Sequence, residues 1–366
     1  MSKVKKADRP FFFAVIALVT AGFFIFTSAS MGLLARQGIS FSTVALKQFL
    51  VGFVLGGIML IIASRIPYKY WRKWSFYLMI IAIAACILVF IPKIGFEHGG
   101  ARRWINLGPY SFQPAELLKF ATIIYFGAWL SAVKEKVRTF KFGALPLFIL
   151  LGICSLLLLL QPDTDNLMVI AMALIAMFIA AGGKWRYIGS LVIVGIIGLL
   201  IIAQFRPYLM SRLTTFLDPS KDSLGAGYQI QQSLIAIGSG QVFGRGFGQS
   251  IQKFNFLPEP IGDSIFAVAA EEFGFVGAVS IIGLFMFFAL RGYKIASRIP
   301  ETFGMSLVVG FVTLIIAQAF INIGAMLSVL PLTGITLTFI SHGGSAMLFA
   351  LAEAGIILSV SKNQKT

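Results

Sequence analysis

Arginine, lysine, aspartate and glutamate crowd into one stretch of an otherwise apolar chain, about residues 205–263. It carries Arg206, Arg212, Lys221, Arg245 and Lys253 beside Asp218, Asp222, Glu259 and Asp263. Such cations hold phosphate or pyrophosphate through charge-assisted hydrogen bonds; they serve equally well as ion-pair partners of the neighbouring acids. Asp263 stands directly before Ser-Ile-Phe-Ala-Val-Ala-Ala, at a predicted helix start. An acid there is either an N-cap or a catalytic carboxylate. Glu271 and Glu272 lie deeper in the same helix, where acids are costly and take paired or functional roles. Elsewhere, Glu116 and Lys119 are three apart and share a helix face. An ion pair there requires the bundle interior or a wet cavity. Asp163, at the same outer level, joins them in either a structural network or the lining of a polar substrate cavity. The glycines of 238–248 follow no strand, so they read as tight turns and not as a nucleotide fingerprint. His98 and His342 have no partner at metal-ligand spacing, and there is no GxSxG elbow.

These residues must be positioned by membrane helices. The 366-residue chain is 58% hydrophobic and 12% charged, too few charges for a water-soluble surface of this size. Ten apolar runs are each long enough to cross a hydrocarbon core about 30 Å thick. They cover roughly 11–34, 43–64, 75–94, 114–133, 144–161, 165–183, 186–204, 264–290, 303–328 and 337–360. The expected fold is therefore an all-α polytopic membrane protein, one integral domain over residues 1–366, with a long outer loop between helices 7 and 8. The apolar content of that loop suits docking onto the membrane surface, and 228–238 reads as an amphipathic helix. Gly52 and Gly56 make a GxxxG spacing suited to close helix packing.

A net charge of +16 would suggest nucleic acid in a soluble chain. Here the basic residues fall in alternate loops: 3–9, 65–73, 134–141, 184–186, 291–298 and 362–365. By the positive-inside rule these face the cytoplasm, as do both termini, and no nucleic-acid partner is expected. The basic N-terminus and its long apolar run, without a small-residue cleavage site, read as a retained first helix. Cys86 and Cys154 sit inside apolar runs and suggest neither a disulfide framework nor a metal site.

The motifs resemble those of the FtsW/RodA family of shape, elongation, division and sporulation proteins. Gly100-Ala-Arg-Arg-Trp-Ile-Asn-Leu-Gly108 with Phe112-Gln-Pro-Ala-Glu116-Leu-Leu-Lys119 is similar to the family's first outer motif. Gln161-Pro-Asp163 resembles its QPD turn. Arg212-Leu-Thr-Thr-Phe-Leu-Asp-Pro219, Gly227-Tyr-Gln-Ile-Gln-Gln-Ser233 and Ala236-Ile-Gly-Ser-Gly240 resemble its long loop. Leu257-Pro-Glu259, Asp263 and Glu271-Glu-Phe-Gly274 resemble the stretch around its essential aspartate. Pro331-Leu-Thr-Gly334 and Phe339-Ile-Ser-His-Gly-Gly-Ser345 resemble its last motif. The chain departs from the pattern after Asp163, at Leu337-Thr338, at His342 where a Tyr is usual, and at Glu353. The resemblance is slightly closer to FtsW than to RodA.

The resemblance implies a peptidoglycan glycosyltransferase polymerising lipid II at the outer face of the cytoplasmic membrane, for division or elongation. Asp263 is then the expected general base on the acceptor 4-hydroxyl. Arg212, Arg245 and Lys253, with a divalent cation (Mg or Mn) as an additional candidate, would neutralise the leaving pyrophosphate. Glu116, Lys119, Asp163 and Glu259 would line the substrate cavity. A single-span penicillin-binding transpeptidase and other division or elongation proteins are the implied partners. The alternative is a lipid II flippase, although transporters place polar sites near the midplane and here they gather at the outer end.

Overall fold

A lipid-facing backbone must satisfy its hydrogen bonds internally, and the computed structural model of the chain does so with helices. It describes residues 6–35, 41–98, 101–108, 110–205, 207–218, 222 and 225–365. The first seven long helices are α1 (Arg9–Ser30), α2 (Val44–Arg65), α3 (Lys69–Leu88), α4 (Pro114–Val133), α5 (Leu145–Leu160), α6 (Thr164–Ala180) and α7 (Trp185–Phe205). Two shorter helices follow, α8 (Pro207–Leu217) and α9 (Ala226–Ser239), then α10 (Ile265–Ser297), α11 (Thr302–Met326) and α12 (Gly344–Ser361). Among the described residues nine helices are long and apolar enough to cross a membrane, and α6 is a shorter tenth. The ten-helix expectation and the long connection after the seventh are both present.

α11 and α12 form the centre, most of their length buried. α11 packs against α10, α6 and α4, while α12 runs along α2. Small residues permit that last approach: a Cβ on Gly56 would lie 2.7 Å from Leu351, and one on Gly355 2.5 Å from the Leu60 carbonyl. The GxxxG reading is thus accounted for at Gly56 by packing. Gln48–Leu55 of α2 is π-helical, and its first residue, Gln48, is buried. The Gln48 amide donates to the Ser341 carbonyl and accepts from the Gly343 N–H, fixing the segment that precedes α12.

Several features differ from the sequence reading, the longer C-terminal end of α10 (Ser297 against 290) among them. α3 begins at Lys69, not 75, because Lys69, Arg72 and Lys73 ride on its first turns beside Tyr70 and Trp74, charged heads reaching the interface over apolar stems. Residues 95–112 form a three-stranded antiparallel sheet within the otherwise helical fold: β1 (Gly95–His98), β2 (Ala101–Leu107) and β3 (Tyr110–Phe112), in register Gly95↔Ile105 and Ile105↔Phe112. The connection from α7 to α10 carries the helices α8 and α9 and then an irregular stretch over 240–264, and the expected amphipathic segment is α9, which buries Gly227, Ile230, Ser233 and Ala236 and exposes Leu234 and Ile235. Residues 337–343 are not helical. Leu337, Phe339 and Ile340 are buried in protein, so their hydropathy marks a bundle interior and α12 starts at Gly344.

Candidate active site

Non-helical backbone at membrane depth survives only where side chains or a cavity satisfy it, and 334–343 is held in this way. Gln318 and Asn322 lie four apart on α11 and so share a face. The Gln318 amide donates to the Thr336 carbonyl at 3.2 Å. Asn322 donates to the carbonyls of Ile335 (2.7 Å) and Asp263 (2.8 Å). The Ser341 hydroxyl donates to the Gly262 carbonyl at 2.7 Å, and the His342 N–H to the Ile261 carbonyl at 2.7 Å. These bonds tie the start of α10 to the α11–α12 connection. Between them and the sheet lies a cavity of about 770 Å³.

Asp263 lines that cavity. It is not the cap of α10: the N-cap position belongs to Ser264, without a side-chain capping bond. The Asp263 main chain is fixed by Asn322, while its carboxylate accepts no hydrogen bond among the described residues. Burial, then the negative charges of Glu259 and Asp165, push its pKa up to about 7, against the opposing pull of Arg212 and Arg103. A carboxylate open to the cavity, oriented by its backbone and with its pKa pushed up to about 7 is suited to general-base work.

Gly334 opens the centre of the site. A Cβ there would lie 3.7 Å from Asp263 Oδ2, 3.9 Å from Arg103 Nη1 and 3.9 Å from Asp165 Oδ2, so these three groups surround one small space. Arg103, on β2, donates through Nε to the Gln161 carbonyl and through Nη2 to the Pro162 carbonyl. Two of its donors thus anchor it to the turn before α6 while Nη1 stands beside Gly334. Arg212, on α8, donates to both oxygens of Asp165 at 2.8 and 2.9 Å, and Asp165 also accepts from the Gly334 N–H at 3.0 Å. Two guanidinium groups therefore stand on the cavity wall with Asp263, one of them already sharing charge with a buried acid.

The sequence candidates divide. Asp263, Glu259, Arg212 and Glu116 line the cavity. Lys119 lies just behind it, donating to Glu116 and to Gln318, each at 2.8 Å; its side chain is 1% exposed, so it braces the wall. Asp163 does not join that pair. It caps α6 through the Asn166 N–H and side-chain amide, and the acid that reaches the site is Asp165, two residues on.

Arg245 and Lys253 do not line the cavity. Lys253 is completely buried and donates to Glu272 (2.7 Å), to the Ser28 hydroxyl and to the Gly248 carbonyl. Arg245 lies 3.4 Å from Glu271, which also accepts from the Ser250 hydroxyl and the backbone of Ile251 and Gln252. The deep acids of α10 thus take the paired role, consuming two cations expected to meet pyrophosphate. The Asp222 carboxylate accepts from the N–H groups of Gly225 and Ala226 at the start of α9. Arg206 and Lys221 lie outside the described residues, as does Gly100 of the first motif.

Arg103, Asp165, Gln318 and Asn322 were not singled out from the sequence. The amides had a signal: polar residues within a predicted span default to the bundle interior or a cavity. Arg103 stood in a recognised motif, but no spacing rule pairs a strand residue at 103 with a helix start at 263. Among the described residues no three His, Cys, Asp or Glu side chains group as metal ligands. Of the three carboxylates that line the cavity, Glu116 is already paired with Lys119, and those of Asp263 and Glu259 suit a hard cation that shares its coordination with substrate phosphate.

Residues 9–366 match the model of a family described as cell cycle protein, FtsW/RodA/SpoVE. The chain is 38% identical over 316 residues to stage V sporulation protein E of Bacillus subtilis, covering 86% of each chain. It is 38% identical over 361 residues to a probable peptidoglycan glycosyltransferase FtsW of Saccharophagus degradans, covering 97% of this chain and 92% of that one. Among solved structures it resembles a chain of a peptidoglycan synthase complex that coordinates polymerization and crosslinking (TM-score 0.79, 26% identity, 97% of both chains). It also resembles Thermus thermophilus rod shape determining protein RodA (TM-score 0.69, 25% identity, 98% of both chains).

Proposed function

The chain belongs to the cell cycle protein family of FtsW, RodA and SpoVE, and from that membership we propose that its cavity polymerises lipid II by inverting glycosyl transfer. It is a peptidoglycan glycosyltransferase, as its relatives are named. The observation that carries the mechanism is Asp263: a cavity-facing carboxylate that caps nothing, with Arg103 across Gly334. Asp263 takes the proton of the acceptor 4-hydroxyl. As that proton leaves, the oxygen attacks the donor anomeric carbon, the bond from that carbon to the pyrophosphate oxygen breaks, and the configuration inverts. The leaving undecaprenyl pyrophosphate carries away the bonding pair, and its charge is met by Arg103 and Arg212. This assignment replaces Arg245 and Lys253 with Arg103. Glu116, held by Lys119, presents a carboxylate to the same cavity, where it would meet the sugars of the substrate.

A divalent cation used by the reaction would be held by Glu259 and the substrate pyrophosphate, and would supply further neutralisation of the leaving group. The protein is a multi-pass membrane protein; the basic loops support cytoplasmic termini and an outward-facing site in the cytoplasmic membrane. The similarity to a chain of a polymerising and crosslinking complex supports a single-span penicillin-binding transpeptidase as partner. A flippase reading is not favoured, because the convergent polar groups lie at one end of the helices and the relatives are named for glycosyl transfer. The test is purified protein, with and without such a partner, given labelled lipid II. A gel ladder of glycan chains is expected; unreacted lipid II under both conditions would contradict the proposal.

A further inference from the structure

A second cavity, of about 440 Å³, lies at the opposite end of the bundle, where α1 begins and α2 and α12 end. Its polar rim carries Lys6, Arg9 and Lys362, and its walls include Phe12, Leu60 and Leu358. The acid within it is already matched: the Asp8 carboxylate accepts from the Phe11 N–H at 2.9 Å and from Arg291 at 2.7 Å. Lys362 donates to the Ser64 carbonyl at 2.8 Å, and the Asp8 N–H to the Ser361 hydroxyl at 3.0 Å, so three helices brace the site. Lys6 and Arg9 are exposed, and among the described residues neither has a carboxylate partner. Three positive charges therefore face one space with no acid left to balance them.

The walls decide what kind of anion fits. Phe12 lies one turn inward from the cations on α1, and Leu60 and Leu358 one turn inward on α2 and α12. The apolar track continues along the outer faces of the same helices through exposed Ile16, Ile58 and Ile61. A free phosphate would use the rim and leave the track bare; a molecule with a phosphate head and acyl chains uses both. Basic pockets between helices at a membrane surface hold anionic head groups in this way. We propose that this cavity binds one anionic phospholipid, phosphate against Lys6, Arg9 and Lys362 and a chain along the groove between α1 and α2. The proposal does not depend on the glycosyltransferase reading.

Native mass spectrometry of the full-length protein, with phosphatidylglycerol or phosphatidylcholine added, tests it. One phosphatidylglycerol should be retained in preference to phosphatidylcholine. Lys6→Gln and Arg9→Gln, which remove no internal contact, should each weaken retention about five-fold. Lys136→Gln and Lys141→Gln, cations at the same end but outside the cavity, should leave it unchanged. Equal retention of the two lipids, or a loss no greater in Lys6→Gln and Arg9→Gln than in the controls, would overturn the assignment. Competition by inorganic phosphate as strong as that by phosphatidylglycerol would assign the cavity to a free anion and would equally overturn it.

Discussion

In the proposed mechanism Asp263 supplies the base, and Gly334 keeps open the space beside it. With a pKa of about 7, Asp263 is a competent base only when deprotonated, so kcat/KM for polymerisation should fall about ten-fold per pH unit below pH 7 and level off above it. A pH profile flat from 5.5 to 8 would contradict the base assignment. The same shift acts oppositely on stability. Between the ordinary carboxylate value of 3.8 and about 7 the folded protein binds a proton that the unfolded chain does not, so this group's contribution declines as pH rises through that window. Replacement by asparagine should therefore favour the fold most above pH 7, an advantage that disappears below about pH 4 in unfolding measurements. At Gly334 an alanine meets only ordinary contacts of 3.7–3.9 Å and should be tolerated. Gly334→Leu projects into the space shared by Asp263 and Arg103 and should lower the rate about 100-fold with little change in unfolding temperature. Wild-type activity in Gly334→Leu would show that the substrate does not pass this point.

Among the elements, the connection from α9 to α10 separates structure from chemistry most clearly. Lys253 and Glu272 are 0% and 1% exposed and lie 2.7 Å apart; they join this connection to α1 through Ser28. Removing one partner of such a pair typically costs about 3–5 kcal/mol, whereas replacing both by apolar groups is often neutral. Lys253→Met should accordingly lower the unfolding temperature sharply, and Lys253→Met with Glu272→Leu should recover much of the loss. A single variant that is stable yet inactive would restore Lys253 to substrate binding. The sequence placed Lys253 in the charged stretch 205–263 but could not assign its partner, because the partner is chosen by the fold of α10 back against residues 244–253. The spans were legible from hydropathy where lipid surrounds them. They were misjudged at 337–343, where apolar side chains face protein, and at 69–74, where lysines accompany aromatic residues at the interface. Asp263 was legible by resemblance; its freedom from capping required the observed position of Ser264.

At the scale of the whole molecule, the proposed orientation has the cavity on the outer side of the membrane and the chain ends within the cell. Cysteine labelling measures this directly, since Cys86 and Cys154 are buried. Phe243→Cys, at a residue 82% exposed, should react with an impermeant thiol reagent in intact spheroplasts, whereas Lys136→Cys should react only after lysis. The reverse pattern would invert the orientation. Whether Asp263 supplies the base for glycan polymerisation is decided by lipid II polymerisation with purified Asp263→Asn protein, its unfolding temperature recorded on the same preparation. A stably folded protein is expected, at or above the wild-type unfolding temperature at pH 8, with polymerisation reduced at least about 100-fold. A folded Asp263→Asn protein that builds glycan chains at the wild-type rate would contradict it.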